Sequence, residues 1–277
     1  ADPAGPGATE PVAAAPVPAP APGPWTIEGR LGAYLTSVVA TRTEDTRDTA
    51  IAETNDVLSV LLKGTLRAVW ERDPHRIEQT LEAKYGRQRD AVGDWEETTD
   101  LIEYRGVEQR SIAKPHYAYL SWGADSQFTG REDRFADPTT ARTATGYGQR
   151  RELQPEKDRV LDARAGVRAQ TVFGSGLDPA ARQVEVGPEA LARYEAKPVP
   201  GTAWFAQAEA FSEFDDLAHV QLLFTAGLTA DLGRGLTVDA SLRVAHETRP
   251  REDEIPGVDY HAWALRQETL VGLTWSF

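Results

Sequence analysis

The residues best suited to acid–base chemistry are five histidines, and their surroundings decide whether the chain is an enzyme. His246 and His261 flank an acidic segment that also contains Glu247, Asp253 and Asp259. Hydrolases need a serine or an aspartate held against a histidine at a fixed height, and no serine accompanies these two histidines. We therefore predict that the chain is not an enzyme. The other histidines fall at predicted turns or rims, where solvated histidines are common: His75, His116 and His219.

The second group of chemistry-bearing residues consists of carboxylates in the polar segments. Carboxylate oxygens are ligands that Ca²⁺ prefers. Clustered surface carboxylates more often hold ambient cations loosely, so we predict neither a metal site nor a cofactor. The sequence also contains no phosphate-binding loop and no dinucleotide fingerprint. The carboxylates concerned are Asp45, Asp48, Asp94, Glu96 and Asp259.

The composition excludes several classes of protein. The 277 residues carry a formal net charge of −13, which argues against a nucleic-acid partner. There is no cysteine, which excludes disulfides, thiol catalysis and a lipidated N-terminal cysteine. No run approaches ~20 apolar residues, and a mean hydropathy of −0.46 excludes a helical membrane protein. The chain contains no methionine and begins at Ala1, so we expect that a signal peptide has been removed.

The elements that must position these groups are strands. In residues 261–277, apolar side chains recur at alternate positions, from Phe277 back through Trp275, Leu273 and Val271, and the intervening positions are mostly polar. This alternation predicts a strand, and its length and terminal aromatic residues match a bilayer-spanning barrel strand. An edge strand of a soluble sandwich is the alternative. The terminal aromatic residue resembles the end of bacterial outer-membrane barrels, where it belongs to the signal for the barrel-assembly machinery.

From Trp25 onward the chain repeats this alternation, and the loop lengths indicate how many strands it forms. Two segments are ambiguous: one near Thr140–Glu152, and one within residues 182–196 that is also compatible with a helix beginning at Pro188. If both segments are strands, the chain forms about twelve strands in total, and if neither is a strand, it forms about ten. We predict an all-β, transmembrane, antiparallel up-and-down β-barrel of about twelve strands, with ten as the alternative. Short periplasmic turns are expected at 72–75, 112–115, 154–158, 197–201 and 233–235, and long outer loops at 42–56, 89–97 and 247–260.

The polar faces of these strands carry many long charged side chains, which a barrel directs into its lumen. A barrel of this size has a lumen about 12 Å wide once side chains line its wall. That width admits a small solute, but opposite charges at this density would pair across the lumen and fill it. The predicted lumen-lining charged residues are Glu28, Arg30, Lys63, Arg67, Glu82, Lys84, Asp162, Arg164, Arg168, Glu209, Asp239, Arg243, Arg266 and Glu268.

The opposite faces are apolar, which predicts contact with outer-membrane lipid and lipopolysaccharide. The alternation is clearest between Val220 and Leu232, and it is least clear near residues 100–109, where the register is not determined. The predicted lipid-facing residues are Leu58, Leu62, Trp70, Val220, Leu222, Phe224, Leu228, Val271, Leu273, Trp275 and Phe277.

Residues 1–24 consist almost entirely of Ala, Pro and Gly and form a unit separate from the barrel of residues 25–277. This composition predicts an extended arm, which we place in the periplasm, rather than a folded domain. The arm is either an inert spacer or a tether that docks on a partner protein. We predict an anchor or accessory subunit of an envelope assembly, which binds partners through the arm and the periplasmic turns. A small porin-like passive channel for polar solutes is the alternative.

Several short stretches resemble an uncharacterised family of outer-membrane barrel proteins, known only as a domain of unknown function. In that family, a strand containing Thr-Asp precedes a strand end similar to Thr-Gln-Phe. The likeness extends over residues 57–250 and implies the barrel fold, but it carries no activity. The stretches are 98–107, 125–130, 185–187, 204–214 and 233–235.

Overall fold

The computed structural model describes residues 24–41, 57–89, 95–128, 135–154, 158–174, 184–248 and 263–277. The regular structure of these residues is entirely β-strand. No helix long and apolar enough to cross a membrane occurs in the described ranges. The strands are β1 (Trp25–Thr41), β2 (Val57–Arg72), β3 (His75–Arg89), β4 (Trp95–Ala113), β5 (His116–Ser126), β6 (Thr139–Gln154), β7 (Arg159–Phe173), β8 (Glu185–Val199), β9 (Thr202–Ser212), β10 (Val220–Gly233), β11 (Leu236–Glu247) and β12 (Trp263–Ser276).

The strands form one closed antiparallel barrel, in which each strand pairs with its neighbours along the chain. β1 and β12 close the barrel, with Leu31 opposite Trp275. Gly29 and Phe277 also exchange two backbone hydrogen bonds, of 2.9 and 3.0 Å. The predicted all-β barrel of twelve strands is therefore confirmed, and the C-terminal strand is a closing strand with partners on both sides.

Both ambiguous segments are strands. β6 pairs with β5 and β7 along its length. The helix considered at Pro188 does not form, because Pro188 lies opposite Val167 on β7 and Glu189 lies opposite Phe211 on β9. The ten-strand alternative is consequently excluded.

The two ends of the barrel differ. At one end, which we call the turn end, short turns join β2 to β3, β4 to β5, β8 to β9 and β10 to β11. The chain enters β1 at this end, where the Glu71 amide donates to the Pro24 carbonyl at 3.1 Å. The opposite end, the loop end, carries the longer connections. Residues 42–56 and 249–262 lie outside the described residues, and β4 begins at Trp95, inside the predicted loop 89–97.

The outer wall of the barrel is apolar and exposed. Leu222, Phe224 and Leu228 are 38%, 40% and 46% exposed, and no facing sheet covers them in the described part of the chain. A soluble sandwich would bury one such face between two sheets. The arrangement is that of a barrel whose outer surface contacts lipid.

Apolar side chains also enter the lumen. Tyr34, Leu61 and Leu270 form a buried cluster on adjoining strands. Tyr117 enters on the opposite side, and the residue facing it on β6 is Gly148. A Cβ atom at Gly148 would lie 2.4 Å from Cζ of Tyr117, so the tyrosine ring requires a glycine at this position.

Candidate functional site: the charged lumen

The middle of the lumen is occupied by paired charges that we call the central ionic band. Its basic and acidic members are equal in number, so the band is neutral although the chain is acidic. It consists of two clusters. The first comprises Lys63, Glu82, Lys84, Asp239, Arg266 and Glu268, and the second comprises Glu103, Arg105, Asp125, Arg142, Arg168, Glu189, Glu209 and Arg243.

The first cluster connects strands that are not neighbours in the sheet. Lys84 Nζ lies 3.1 Å from Glu268 Oε2, which links β3 to β12, and also 3.1 Å from Glu82 Oε1. Lys63 Nζ lies 3.7 Å from Asp239 Oδ2, which links β2 to β11. Arg266 lies 3.2 Å from Glu268 Oε1. These side chains therefore brace the barrel across strands that the backbone ladder does not join.

The second cluster fills the other side of the lumen. Arg168 donates to Glu189 at 2.8 Å and to Glu209 at 3.1 Å, which connects β7, β8 and β9. The Tyr119 hydroxyl on β5 donates to Glu189 at 2.7 Å. Arg142 pairs with Asp125, so β6 joins the same network. A carboxylate that accepts several such bonds is held in one position, and the cluster is correspondingly rigid.

Five members of the band are almost completely removed from solvent, although they project into the lumen. The exposed fractions are 3% for Glu268, 7% for Asp239, 8% for Arg168, 8% for Asp125 and 9% for Arg266. A charged group lining an open aqueous pore would keep its contact with water. Burial of opposite charges at this level therefore indicates that these five side chains pack against one another and against the wall instead of lining open water.

The lumen contains two cavities of about 600 and 370 Å³, which reach from the central ionic band, at Lys84 in the larger and Arg168 in the smaller, toward the turn end. Arg67, Arg150 and Arg193 line both of them. Arg67 donates to Glu78 at 2.8 Å and lies 3.7 Å from Glu28.

The structure places the predicted lumen-lining charges in two layers. Glu28, Arg67, Asp162 and Arg164 lie toward the turn end, and Arg30 is partly buried on β1. The other predicted residues belong to the central ionic band: Lys63, Glu82, Lys84, Arg168, Glu209, Asp239, Arg243, Arg266 and Glu268.

The sequence did not single out several members of the site. Glu103 and Arg105 lie on β4, where Glu108 and Arg110 give the outer face charges too, so polarity alone leaves the register open. On β6, small residues separate Arg142 from Arg150 and obscure the alternation. The residues missed are Glu103, Arg105, Asp125, Arg142, Arg150, Glu189 and Arg193.

The predicted lipid-facing residues are distributed as follows. Trp70 and Val220 are partly exposed, and the side chain of Leu58 lies outside the described residues. The others are exposed to between 38% and 80%: Leu62, Leu222, Phe224, Leu228, Val271, Leu273, Trp275 and Phe277.

The histidines occupy separate positions. His219 is buried at the loop end, with Nδ1 3.1 Å from Glu213 and Nε2 2.7 Å from Glu247. His75 lies 3.1 Å from Glu108 at the turn end. The remaining placements are as follows: His116 stacks on Tyr147, His246 stacks on Trp263, and His261 lies outside the described residues.

The carboxylates considered as cation ligands are mostly beyond the described part of the chain. Asp45, Asp48, Asp94 and Asp259 fall outside it, and Glu96 is exposed at the start of β4. Within the described ranges, no group of three or more His, Asp or Glu side chains has an arrangement suited to a metal ion.

The chain is similar to several solved structures and matches one family model. One similar solved structure is the translocator domain of the autotransporter NalP from Neisseria meningitidis. The alignment covers 93% of this chain and 90% of that domain, at 16% sequence identity and a TM-score of 0.38. The alignment with a bacterial polysaccharide outer-membrane secretin covers 90% of this chain and 98% of the secretin, at 9% sequence identity and a TM-score of 0.41. The alignment with the NanC porin covers 90% of this chain and 99% of the porin, at 8% sequence identity and a TM-score of 0.44.

No curated protein matches the sequence. A family model matches residues 59–259, and its description is "Protein of unknown function, DUF481". The resemblance to an uncharacterised barrel family is thereby confirmed, and the chain belongs to the family described as DUF481, a protein of unknown function.

Proposed function

We propose that the protein is a non-conducting outer-membrane barrel that anchors or supports a larger envelope assembly. The observation that carries this proposal is the burial of the central ionic band. Arg168 and Glu268 project into the lumen, yet they are only 8% and 3% exposed. A passage for polar solutes requires hydrated side chains along its whole length, and the burial of these two charged side chains argues against one.

The pairing geometry favours a stiff body over a gated pore. The contact of Lys84 with Glu268 joins β3 to β12, and that of Arg168 with Glu209 joins β7 to β9. Opening a channel would separate these charges and leave them unpaired in a low-dielectric interior. When one charge of a buried pair loses its partner, the free energy of unfolding falls by about 3–5 kcal/mol. Such a cost suits a structural role.

The turn end is the face that we assign to partner proteins. The Pro24 carbonyl accepts a hydrogen bond from the Glu71 amide of β2 at this end, so the arm of residues 1–24 joins the barrel here. Short turns at the same end leave the surface accessible. We place this end in the periplasm, following the general arrangement of bacterial barrels, whose termini and short turns share that side.

The test is purification of the full-length protein from native envelopes, beside a variant in which residues 1–24 are replaced by a Gly/Ser segment of equal length. The anchor proposal expects a stoichiometric partner that is lost from the variant, because the replaced segment keeps its reach and loses its Pro/Ala surface. Retention of every partner by the variant would show that the arm is only a spacer. Uptake of small sugars into vesicles containing the intact protein would favour the porin-like alternative.

A further inference from the structure

The turn-end half of the lumen contains three arginines that we call the arginine row: Arg150 on β6, Arg164 on β7 and Arg193 on β8. The strand register brings them together. Asp162 on β7 lies directly opposite Arg150 on one side and Arg193 on the other. Arg164 follows Asp162 by two positions and therefore projects from the same face of β7. Three arginine residues thus lie beside one aspartate on the inner face of the sheet.

That aspartate is already engaged. Asp162 is 9% exposed, and it accepts hydrogen bonds from the Tyr117 hydroxyl and from Gln109 Nε2, the latter at 3.2 Å. Arg150 Nη1 lies 3.8 Å from Asp162 Oδ2, which is a loose contact. The single carboxylate at the centre of the row therefore shares its acceptor capacity with two neutral donors as well as an arginine.

Arg193 and Arg164 have different partners. Arg193 donates to Glu195 at 2.6 Å and to Gln207 at 2.9 Å, which satisfies part of its donor set. Arg164 has no carboxylate within ion-pair distance in the described part of the chain. Its guanidinium lies over the Tyr119 ring, 5.4 Å from the centroid, and its Nε atom is buried without a hydrogen-bond partner.

An inward-facing guanidinium with unused donors is suited to an oxyanion. Arginine presents a planar fork of N–H groups that matches carboxylate and phosphate oxygens, and it stays charged at all physiological pH values. The ring beneath Arg164 fixes the guanidinium by a cation–π contact and leaves its edge available. The row therefore has the geometry and the charge to hold a small anion.

The row also has space beside it and a route to it. Arg164 lines the smaller cavity of about 370 Å³, and Arg150 and Arg193 line both cavities. These volumes lie within the range of small-molecule sites, about 300–1,000 Å³. The larger cavity extends to Asp158 and Lys197, which are 62% and 66% exposed at the turn end. A solute can therefore reach Arg150 and Arg193 from that end.

We propose that the arginine row is a binding site for a small oxyanion that carries a phosphate or carboxylate group and enters the lumen from the turn end. The ligand bridges Arg164 and Arg150 and compensates the charge that Asp162 leaves uncovered. The site does not depend on conduction through the barrel, so a test of anion binding is independent of a test of the anchor role.

Calorimetric titration of the refolded full-length protein in a non-ionic detergent tests this proposal, with inorganic phosphate and succinate as probes. Binding of either probe is expected. The variant Arg164→Gln removes no ion pair, so it should fold normally, and it should bind the probe at least ~tenfold more weakly because a charged hydrogen bond is lost. Arg164→Lys keeps the charge and should retain part of the affinity.

The matched control is Arg151→Gln. Arg151 follows Arg150 directly, but its side chain is exposed and bonds Gln149 at 3.1 Å instead of facing the lumen. This control should bind the probes as the unaltered protein does. The proposal is overturned if neither oxyanion binds at millimolar concentration, if Arg164→Gln binds as well as the unaltered protein, or if Arg151→Gln weakens binding equally.

Discussion

Replacing Glu268 by Gln tests whether the central ionic band stabilises the barrel as a paired unit. Glu268 contacts Lys84 at 3.1 Å and Arg266 at 3.2 Å, and it is 3% exposed. Removing one partner of a buried pair costs about 3–5 kcal/mol, because the remaining charge stays in a low-dielectric site. Lys84 keeps Glu82 at 3.1 Å, so we expect a loss near the lower end of that range, about 3 kcal/mol.

The assay is urea unfolding of the barrel in lipid vesicles, followed by tryptophan fluorescence. Gln267→Ala is the control, because Gln267 is the preceding residue of β12 and is exposed on the outer face. The double variant Lys84→Met with Glu268→Leu removes both charges and keeps the band neutral, so it should regain at least half of the lost free energy of unfolding. Equal effects of Glu268→Gln and Gln267→Ala, or simple additivity in the double variant, would refute the reasoning.

Three further changes test other parts of the structure by the same unfolding assay. Gly148→Ala forces the Tyr117 ring to move and should cost about 1–3 kcal/mol, whereas Gly64→Ala meets only a side-chain atom at 3.7 Å and should be tolerated. Leu228→Lys on the outer wall should cost about 2–4 kcal/mol if it lies near the bilayer midplane, and Leu236→Lys at the turn end should cost at most about 1 kcal/mol; equal costs would contradict a lipid-facing wall. His219→Ala removes contacts to Glu213 and Glu247 and should lower the free energy of unfolding by about 1–3 kcal/mol. The backbone amides of residues 213–219 should then exchange faster with solvent. An unchanged exchange rate would show that His219 does not hold this segment in place.

The fold was predictable from the sequence because alternation and loop length point to the same topology. β10 and β12 alternate apolar and polar residues cleanly, and the turns between strands recur at one end. The register of β4 could not be predicted from its pattern, because both faces carry charges: Glu103 faces the lumen, whereas Glu108 lies on the outer side and pairs with His75. β6 was ambiguous because Gly146 and Gly148 give its inner face no polar contrast. Tertiary pairing, rather than local pattern, determines these two strands.

The candidate site was predictable in kind but not in detail. A dense set of inward charges predicts pairing, and the structure shows pairing. Which residues meet depends on the stagger between strands, which the sequence does not contain: Lys84 reaches Glu268 across β2 and β1. The arginine row likewise follows from register, because Arg150 and Arg193 become neighbours of Asp162 only when β6, β7 and β8 are aligned.

Single-channel recording in planar bilayers tests the central claim most directly. We predict that the refolded full-length protein inserts without producing discrete conductance steps, because the paired and buried charges of the central ionic band obstruct the lumen. A variant with Arg168→Ala and Glu209→Ala, which removes a 3.1 Å pair from the band, should produce small steps under the same conditions. Regular steps from the unaltered protein, of a size that these substitutions do not change, would contradict a closed lumen.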